Sequence, residues 1–223
     1  MANVSDRYVK LLYQRYQHFA AWLPNTKVLL GDVGEVDGKY FKRRTSLNAL
    51  GVKFATRRGG KPMAFNDDLT SGLRVGAAAA SDTVGGAAAL LGRTGVSIEF
   101  TSQGAFLFHA VDCYADEIED KVAVGKALVD LHQEGTWDIH WSVVDTVVRA
   151  GSSTILISSS SRASLELSAK AGVELSNLGN PELGLQLSSK QGDVTLFLAE
   201  QGLTPLFRLS RFSYRRFPQP LIQ

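Results

Sequence analysis

At 223 residues, with 44% hydrophobic and 21% charged side chains, the chain has the composition of an ordinary folded protein, one large domain or two small ones, and not of a disordered one. A net charge of +2 makes no case for nucleic acid, and a single cysteine, Cys113, excludes an internal disulfide and fits a reducing compartment. Asp6 and Arg7 precede any apolar run, unlike a secretory signal, and no stretch of about 18 apolar residues is present to form a transmembrane helix.

The first predicted element is an amphipathic helix over Asn3 to Leu23, with Ser5 as N-cap and Asp6 in its first turn. Its apolar stripe is Val9, Leu12, Tyr16, Phe19, Ala20 and Leu23, and Pro24-Asn25 ends it. Arg7, Lys10 and Arg15 lie off that stripe among Tyr8 and Tyr13, a pattern that suits either a membrane surface or a solvated helix face. Lys27 to Ala55 reads as short strands turning at Asp37-Gly38, with Lys42, Arg43 and Arg44 as a second basic cluster. Thr56 to Thr70 reads as a charged loop. Ser71 to Phe100 is rich in Ala and Gly; Leu73, Val75, Ala77 and Ala79 alternate at its start, and Val96, Ile98 and Phe100 at its end, as in a long hairpin.

A strand is predicted over Gln103 to Val111. A helix is predicted over Asp116 to Glu134, with Ile118, Val122, Ala127, Leu128 and Leu131 inward and Gly135 at its C-terminus. Trp137 to Ile157 reads as a strand pair turning at Ala150-Gly151. The most regular segment follows. From Arg162 to Leu175, fourteen residues alternate without a break between polar and apolar. An extended run of that length reaches roughly 46 Å, whereas a tilted strand crosses a bilayer with about 9–11 residues. After a turn over Ser176 to Glu182, Leu183, Leu185 and Leu187 resume the alternation, followed by Val194, Leu196 and Leu198. The order predicts an α+β fold: a twisted antiparallel sheet with flanking helices and two extendable amphipathic hairpins.

Catalytic motifs are missing: no G-x-S-x-G, P-loop, G-x-G-x-x-G or H-E-x-x-H, and no metal-ligand spacing among His18, His109, His132 and His140. Cys113 reads as a small core residue and not as a nucleophile. The expectation is therefore a protein that is not an enzyme and carries no cofactor or metal. Amphipathic strands can enter lipid only if every edge is paired, which four strands from one chain achieve by closing a ring of many copies. The same alternation also fits a soluble β-rich binding or scaffold protein with one-sided sheets; the length of the run favours spanning.

These residues carry a resemblance. A basic helix, "YFKRRTSLNALGVKF", the small-residue stretch "SGLRVGAAAASDTVGGAAA", a strand ending "VSIEFTS", the helix "DEIEDKVAVGKALVDLHQEG" and "TWDIHWSVVDTVVRAGSSTILIS" follow one another as in the pore-forming domain of gasdermins. The likeness spans roughly residues 5 to 205 in element order and patterning, and its length is similar to the compact bacterial or fungal members. It implies a gasdermin-like pore-forming domain over 1–205 and a short tail over 206–223, a candidate autoinhibitory segment with Arg211, Arg215 and Arg216 as its candidate cleavage region. It further implies a cell-death effector of antiphage, pyroptosis-like type: cytoplasmic when inactive, released by a protease or a variant partner, then a homo-oligomeric β-barrel in the inner or plasma membrane. Arg7, Lys10, Arg15, Lys42, Arg43 and Arg44 would bind acidic lipid headgroups. Hairpin 1 would span with Leu73, Val75, Ala77, Ala79, Val96, Ile98 and Phe100. Hairpin 2 would span with Ala163, Leu165, Leu167, Ala169, Ala171, Val173, Leu175, Leu183, Leu185 and Leu187. Trp137 and Trp141 fit either an interface or a core, and Leu167→Asp is expected to block insertion while sparing the soluble fold. The bacterial relatives' lipidated N-terminal cysteine has no counterpart here.

Overall fold

A computed structural model describes residues 4–38, 40–67, 72–77, 95–170, 178–213 and 221–222. The fold is α+β, two helices with mostly antiparallel strands. Among the described residues no helix is long and apolar enough to cross a membrane.

The first helix, α1 (Val4–Tyr16), stops well short of the predicted Leu23. Gln17 closes the last turn onto Tyr13 and takes φ 55°, a left-handed conformation that a helix cannot continue through. Val9 and Leu12 are fully buried as the stripe requires, and so is Tyr8, which is expected off it; Leu23 is 45% exposed and Phe19–Ala20 form a short strand, β1. Strands β2 (Asp32–Asp37) and β3 (Tyr40–Ser46) make the predicted hairpin, with Gly38 in the turn at φ 64°. Its register slips between Val33↔Thr45 and Gly34↔Arg43, a β-bulge that leaves Arg44 unpaired. Only glycine fits opposite that bulge: a Cβ on Gly34 would lie 2.1 Å from the Lys42 carbonyl oxygen.

The predicted loop over Thr56 to Thr70 instead contains β4 (Thr56–Arg58) and β5 (Met63–Asp67), both paired with one later strand. The exposed side chains of Thr56–Arg58, Met63 and Ala64 explain the misreading, since edge strands need no apolar alternation. Next come β6 (Leu73–Ala77), β7 (Gly95–Phe100) and the long β8 (Phe106–Ile118). The last three residues of β8 were predicted as helix. Helix α2 (Lys121–Gln133) starts later, where the Asp120 side chain accepts from the Ala123 amide at 2.8 Å, and Gly135 follows its end at φ 76°. Val122 is 68% exposed, not inward; with the helix starting at Lys121, three residues past Ile118, the inward stripe falls on Val124 and Leu128.

Strands β9 (Trp141–Arg149) and β10 (Ser152–Ser158) do not form the expected hairpin at Ala150-Gly151. Thr146–Arg149 pairs with the second half of β8 and Ser152–Ile157 with its first half. The remaining strands are β11 (Ala163–Ser168), β12 (Gln186–Gln191), β13 (Val194–Gln201), β14 (Leu206–Ser213) and β15 (Leu221–Ile222).

The chain divides into two compact units. The first takes the chain up to Tyr8, Pro62–Cys113 and Ala150–Leu203. Here β5, β8, β10 and β13 make one sheet and β12, β11, β7 and β6 a second of four strands in that order. Between the two lies a core in which Ile98, Leu107, Leu156, Leu165, Leu167 and Leu178 are fully buried. On β8 the neighbours of Leu107 point the other way, and Tyr8 packs edge-on against Phe106 and Phe108 at 5.1 and 6.5 Å. Cys113 is buried and its thiol pKa is pushed up to about 12 by burial, with Asp112 adding to the shift, so it is a packing residue as read.

The second unit takes Val9–Lys61, Tyr114–Arg149 and the chain from Thr204. Strand β14, within the segment read as a tail, lies between β1 and β9, pairing with Phe19–Ala20 on one side and Ser142–Val148 on the other. Helix α2 covers Val33, Leu47, Ile118 and Val143. Trp137 is buried there, 5.5 Å from Trp141 in a T-shaped pair, which puts it in the core and not at an interface. Asp116, also buried, is held by Arg149 at 2.8 Å and Arg58 at 3.1 Å.

Two outcomes follow from this packing. Gly34→Ala should lower stability by about 2 kcal/mol in urea unfolding, while Gly60→Ala, where a Cβ meets nothing within 4 Å, should change it by less than about 0.5 kcal/mol. Burial opposes ionisation of Asp116, but the bonds from Arg149 and Arg58 outweigh it and hold the carboxyl below its ordinary range. A folded pKa below the unfolded one gives stability that is complete above the ordinary carboxylate range and is lost as pH falls through the lower folded value. Asp116→Asn should therefore be less stable than the parent at pH 7, with the difference shrinking below about pH 4, as read from urea midpoints across pH 2–7.

Candidate functional site

The two hairpins read from the sequence lie side by side. Strand β6 pairs with β7, β7 with β11 and β11 with β12, all antiparallel, so hairpin 1 and hairpin 2 share one four-stranded sheet. The register aligns their alternations. Leu73, Phe100 and Ala163 form one cross-strand row; Val75, Ile98 and Leu165 form the next; Ala77, Val96, Leu167 and Leu187 form the third. Between these rows Arg74, Glu99, Ser164 and Gln191 line up on the opposite face, as do Gly76, Ser97, Glu166 and Ser189. One face is apolar and the other polar across β6, β7 and β11, because the side-chain period of 2 and the pairing register agree; β12 follows only in part, through Leu187, after a register shift.

The apolar face is covered unevenly. On the two central strands Val96, Ile98, Phe100, Ala163, Leu165 and Leu167 are buried in the core of their unit. On the edge strands Val75 is 37% and Leu187 41% exposed. The edge strand β12 also carries Lys190 in the Leu165 row, with its Nζ donating to the Val194 carbonyl at 2.7 Å. A charge in an apolar row at a sheet edge is a recognised guard against pairing with another chain.

Strand β11 itself is six residues, not fourteen. Ala169 is partly buried against the core and Lys170 receives its backbone bond as a donor to the Leu183 carbonyl at 2.9 Å, so the chain leaves the ladder there. Ala171, Val173 and Leu175 lie outside the described residues, as does Ala79; the side chain of Ala77 is likewise outside them. Leu183 is in a short 3-10 turn, Pro181–Leu183, capped by the Asn180 side chain, and not in the returning strand. Leu178, Leu183 and Leu185 fold into the core beneath β11. The buried Thr154 hydroxyl fixes this return, donating to the Leu178 carbonyl at 2.6 Å and accepting from the Ala199 amide at 3.0 Å. Sequence periodicity had no way to register that tuck, since the same leucines serve a long strand or a folded-back connection equally well.

Most of the basic residues singled out for headgroups have partners within the protein. In β3, Lys42 pairs with Asp37 at 2.5 Å, Arg43 with the buried Asp32 at 2.6 Å and Arg44 with Glu35 at 3.2 Å. Arg7 donates to the Ser102 hydroxyl and the Gln103 carbonyl, and Arg15 stacks over Tyr16 at 5.8 Å; Lys10 is exposed. Of the candidate cleavage residues, Arg211 is exposed within β14, paired with Ser142, while Arg215 and Arg216 lie outside the described residues.

A feature the sequence reading missed is Asp145, a carboxylate buried mid-strand in β9. It accepts from Thr146 Oγ1 at 2.7 Å and from Ser210 Oγ, and pairs with Lys121 at 3.2 Å. The only sequence signal was a charged residue inside an otherwise β-branched buried run. Among the described residues no three His, Cys, Asp or Glu side chains gather as a metal site. No protein-family model matches the chain, and comparison with curated proteins gives no significant match.

The burial of Leu167 overturns the expectation that an aspartate there spares the fold. Leu167→Asp should cost about 4 kcal/mol and remove the cooperative thermal transition, whereas Leu187→Asp, at a half-exposed edge position, should cost less than about 1 kcal/mol.

Proposed function

We propose that this chain is a pore-forming effector of the gasdermin type: held inactive, then assembling on acidic-lipid membranes into a large β-barrel that breaches them. The observation that carries this reading is the shared sheet. Two hairpins far apart in sequence are already hydrogen-bonded neighbours, with the apolar rows of β6, β7 and β11 in register on one face and polar rows on the other. That is the arrangement a barrel wall needs, and extension would add rungs to it without re-pairing β7 and β11. Neighbouring copies would pair at its outer strands, at β6 as it stands and at β12 once Lys190 is turned out of the apolar row.

Extension has a defined cost. Leu178, Leu183 and Leu185 would leave the core, each losing about 1.5–3 kcal/mol of burial, and the Thr154–Leu178 bond would break. Lipid contact of the lengthened apolar face would offset this loss, which makes the folded-back connection a barrier in the absence of a membrane. Membrane relocation, oligomerisation, the cell-death role and the release of a C-terminal segment by a protease or partner belong to this proposal. The full burial of Ile98, Leu165 and Leu167 equally favours a second reading, a β-rich binding or scaffold protein whose one-sided sheet stays on its core.

Dye release from vesicles containing anionic lipid separates them. The full chain and a version ending at Ser213, which keeps β14 intact, should differ, with leakage from the shorter one. Leu187→Asp and Val75→Asp in the shorter chain should each cut leakage at least tenfold with the fold retained. Leakage from neither length, with both folded and monomeric, favours the scaffold reading.

A further inference from the structure

The buried Asp145 is placed by a β-bulge. Arg208 faces Thr146 and Leu209 faces Val144, so Asp145 is the extra residue of β9 opposite β14. Bulges of this kind turn a side chain out of the regular alternation, and here it meets Lys121 at the start of α2 and Ser210 of β14. Above it opens a groove of about 290 Å³, entirely within the second unit. Lys121, Arg208 and Gln17 line it with Ser210, and Tyr13 and Phe19 form an aromatic wall. That wall is braced: Tyr13 and Phe19 lie 5.0 Å apart, and Phe19 stacks on Phe207 at 5.8 Å.

The charges here are unbalanced. Asp145 is the carboxylate lining the groove, and Ser210, Thr146 and Lys121 already satisfy it. Arg208 is exposed, and no ion pair joins it to a carboxylate among the described residues, in contrast to Lys42, Arg43 and Arg44 on β3. His18, next to the cluster, adds no charge at neutral pH, because burial and then Arg208 push its pKa down against the opposing pull of its bond to the Tyr16 carbonyl and of Asp145. What remains is one uncompensated guanidinium, an ammonium shared with Asp145, and the Gln17 amide and Tyr13 phenol beside an aromatic surface. A guanidinium reads phosphate through paired N–H donors, and its neighbours here offer donors to the remaining oxygens.

We propose that this groove binds a phosphate monoester, with Arg208 and Lys121 on the phosphate and the organic part against Tyr13 and Phe19. The site is separate from the hairpin sheet and stands or falls independently of the pore-forming reading. The phosphate belongs either to a soluble metabolite-sized ester or to a lipid headgroup, and the two sources are distinguishable.

The test is titration of the full chain with glycerol 3-phosphate, and co-sedimentation with phosphatidylcholine vesicles with and without phosphatidate. Glycerol 3-phosphate binding that weakens at least tenfold in Arg208→Gln and is unchanged in Lys126→Gln, an exposed charge on the same helix as Lys121, supports a soluble ligand. Binding to phosphatidate vesicles alone, with the same dependence on Arg208, supports a lipid source. Gln17→Glu, which adds a carboxylate to the groove at an exposed position, should weaken whichever binding is seen and replaces Arg208→Gln if that variant misfolds. Binding of neither probe, or binding that Lys126→Gln weakens as much as Arg208→Gln, overturns the site.

Discussion

A sheet whose two faces differ in polarity must keep water off one of them, and this constraint organises the first unit of the protein. Ile98 and Leu165 stand at the centre of the apolar face, fully buried, with Leu107 and Leu156 of the facing sheet closing over them. The two central strands take nearly all the cover. The edge strands keep Val75 and Leu187 half in water, and Lys190 sits in an apolar row where it discourages a foreign strand. The folded-back connection completes the cover from beneath, with Leu178, Leu183 and Leu185 filling space that the sheet alone leaves open. On the proposed reading, the leucines that stabilise this core are the same ones that insertion would expose.

The second unit solves a different problem, the burial of charge. Asp32, Asp116 and Asp145 are all buried, and each has cationic partners reaching in from exposed positions: Arg43, then Arg58 with Arg149, then Lys121. The carboxylates are fixed on strands, and the cations supply length and adaptable geometry. Removing a partner would leave a buried charge without compensation, which is why such clusters resist substitution even where their net contribution is small. Arg43 of β3 is accounted for in this way, while Lys42 and Arg44 form surface pairs with Asp37 and Glu35. A cluster that reads from sequence as a surface for acidic ligands is largely spent on its own hairpin. Arg208, which is not, shifts attention to the groove beside α1.

Much of the local structure was legible because its signals are short-range. The Asp37-Gly38 turn, the glycine after α2, the apolar alternations around Ile98 and Leu165 and the buried Cys113 all follow from neighbouring residues. The misreadings share a cause. Gln17 adopts a left-handed conformation that polar residues accept but do not announce, so α1 seemed to run through Phe19. Asp116 to Ile118 fit a helix start as well as a strand end, and the outcome hung on pairing with β4 and β9. Ala150-Gly151 looks like a turn, yet β9 and β10 both pair with β8 and never with each other.

What the sequence determined by itself is the alternation of faces, for that depends only on the backbone period and the order of side chains. It also set the α+β class and the absence of recognised catalytic motifs. Which strands became neighbours was decided by tertiary structure alone: β7 against β11, β14 between β1 and β9, and the bulge that turns Asp145 toward Lys121. Each of these joins segments distant along the chain, and backbone pairing is blind to side-chain pattern until a core selects the register. The alternating run from Arg162 shows the division most plainly. Its residues specify two faces, but whether Ala169 and Lys170 continue β11 or leave it, with the Lys170 amide donating to the Leu183 carbonyl, depends on what covers the apolar one, and here Leu178, Leu183 and Leu185 do.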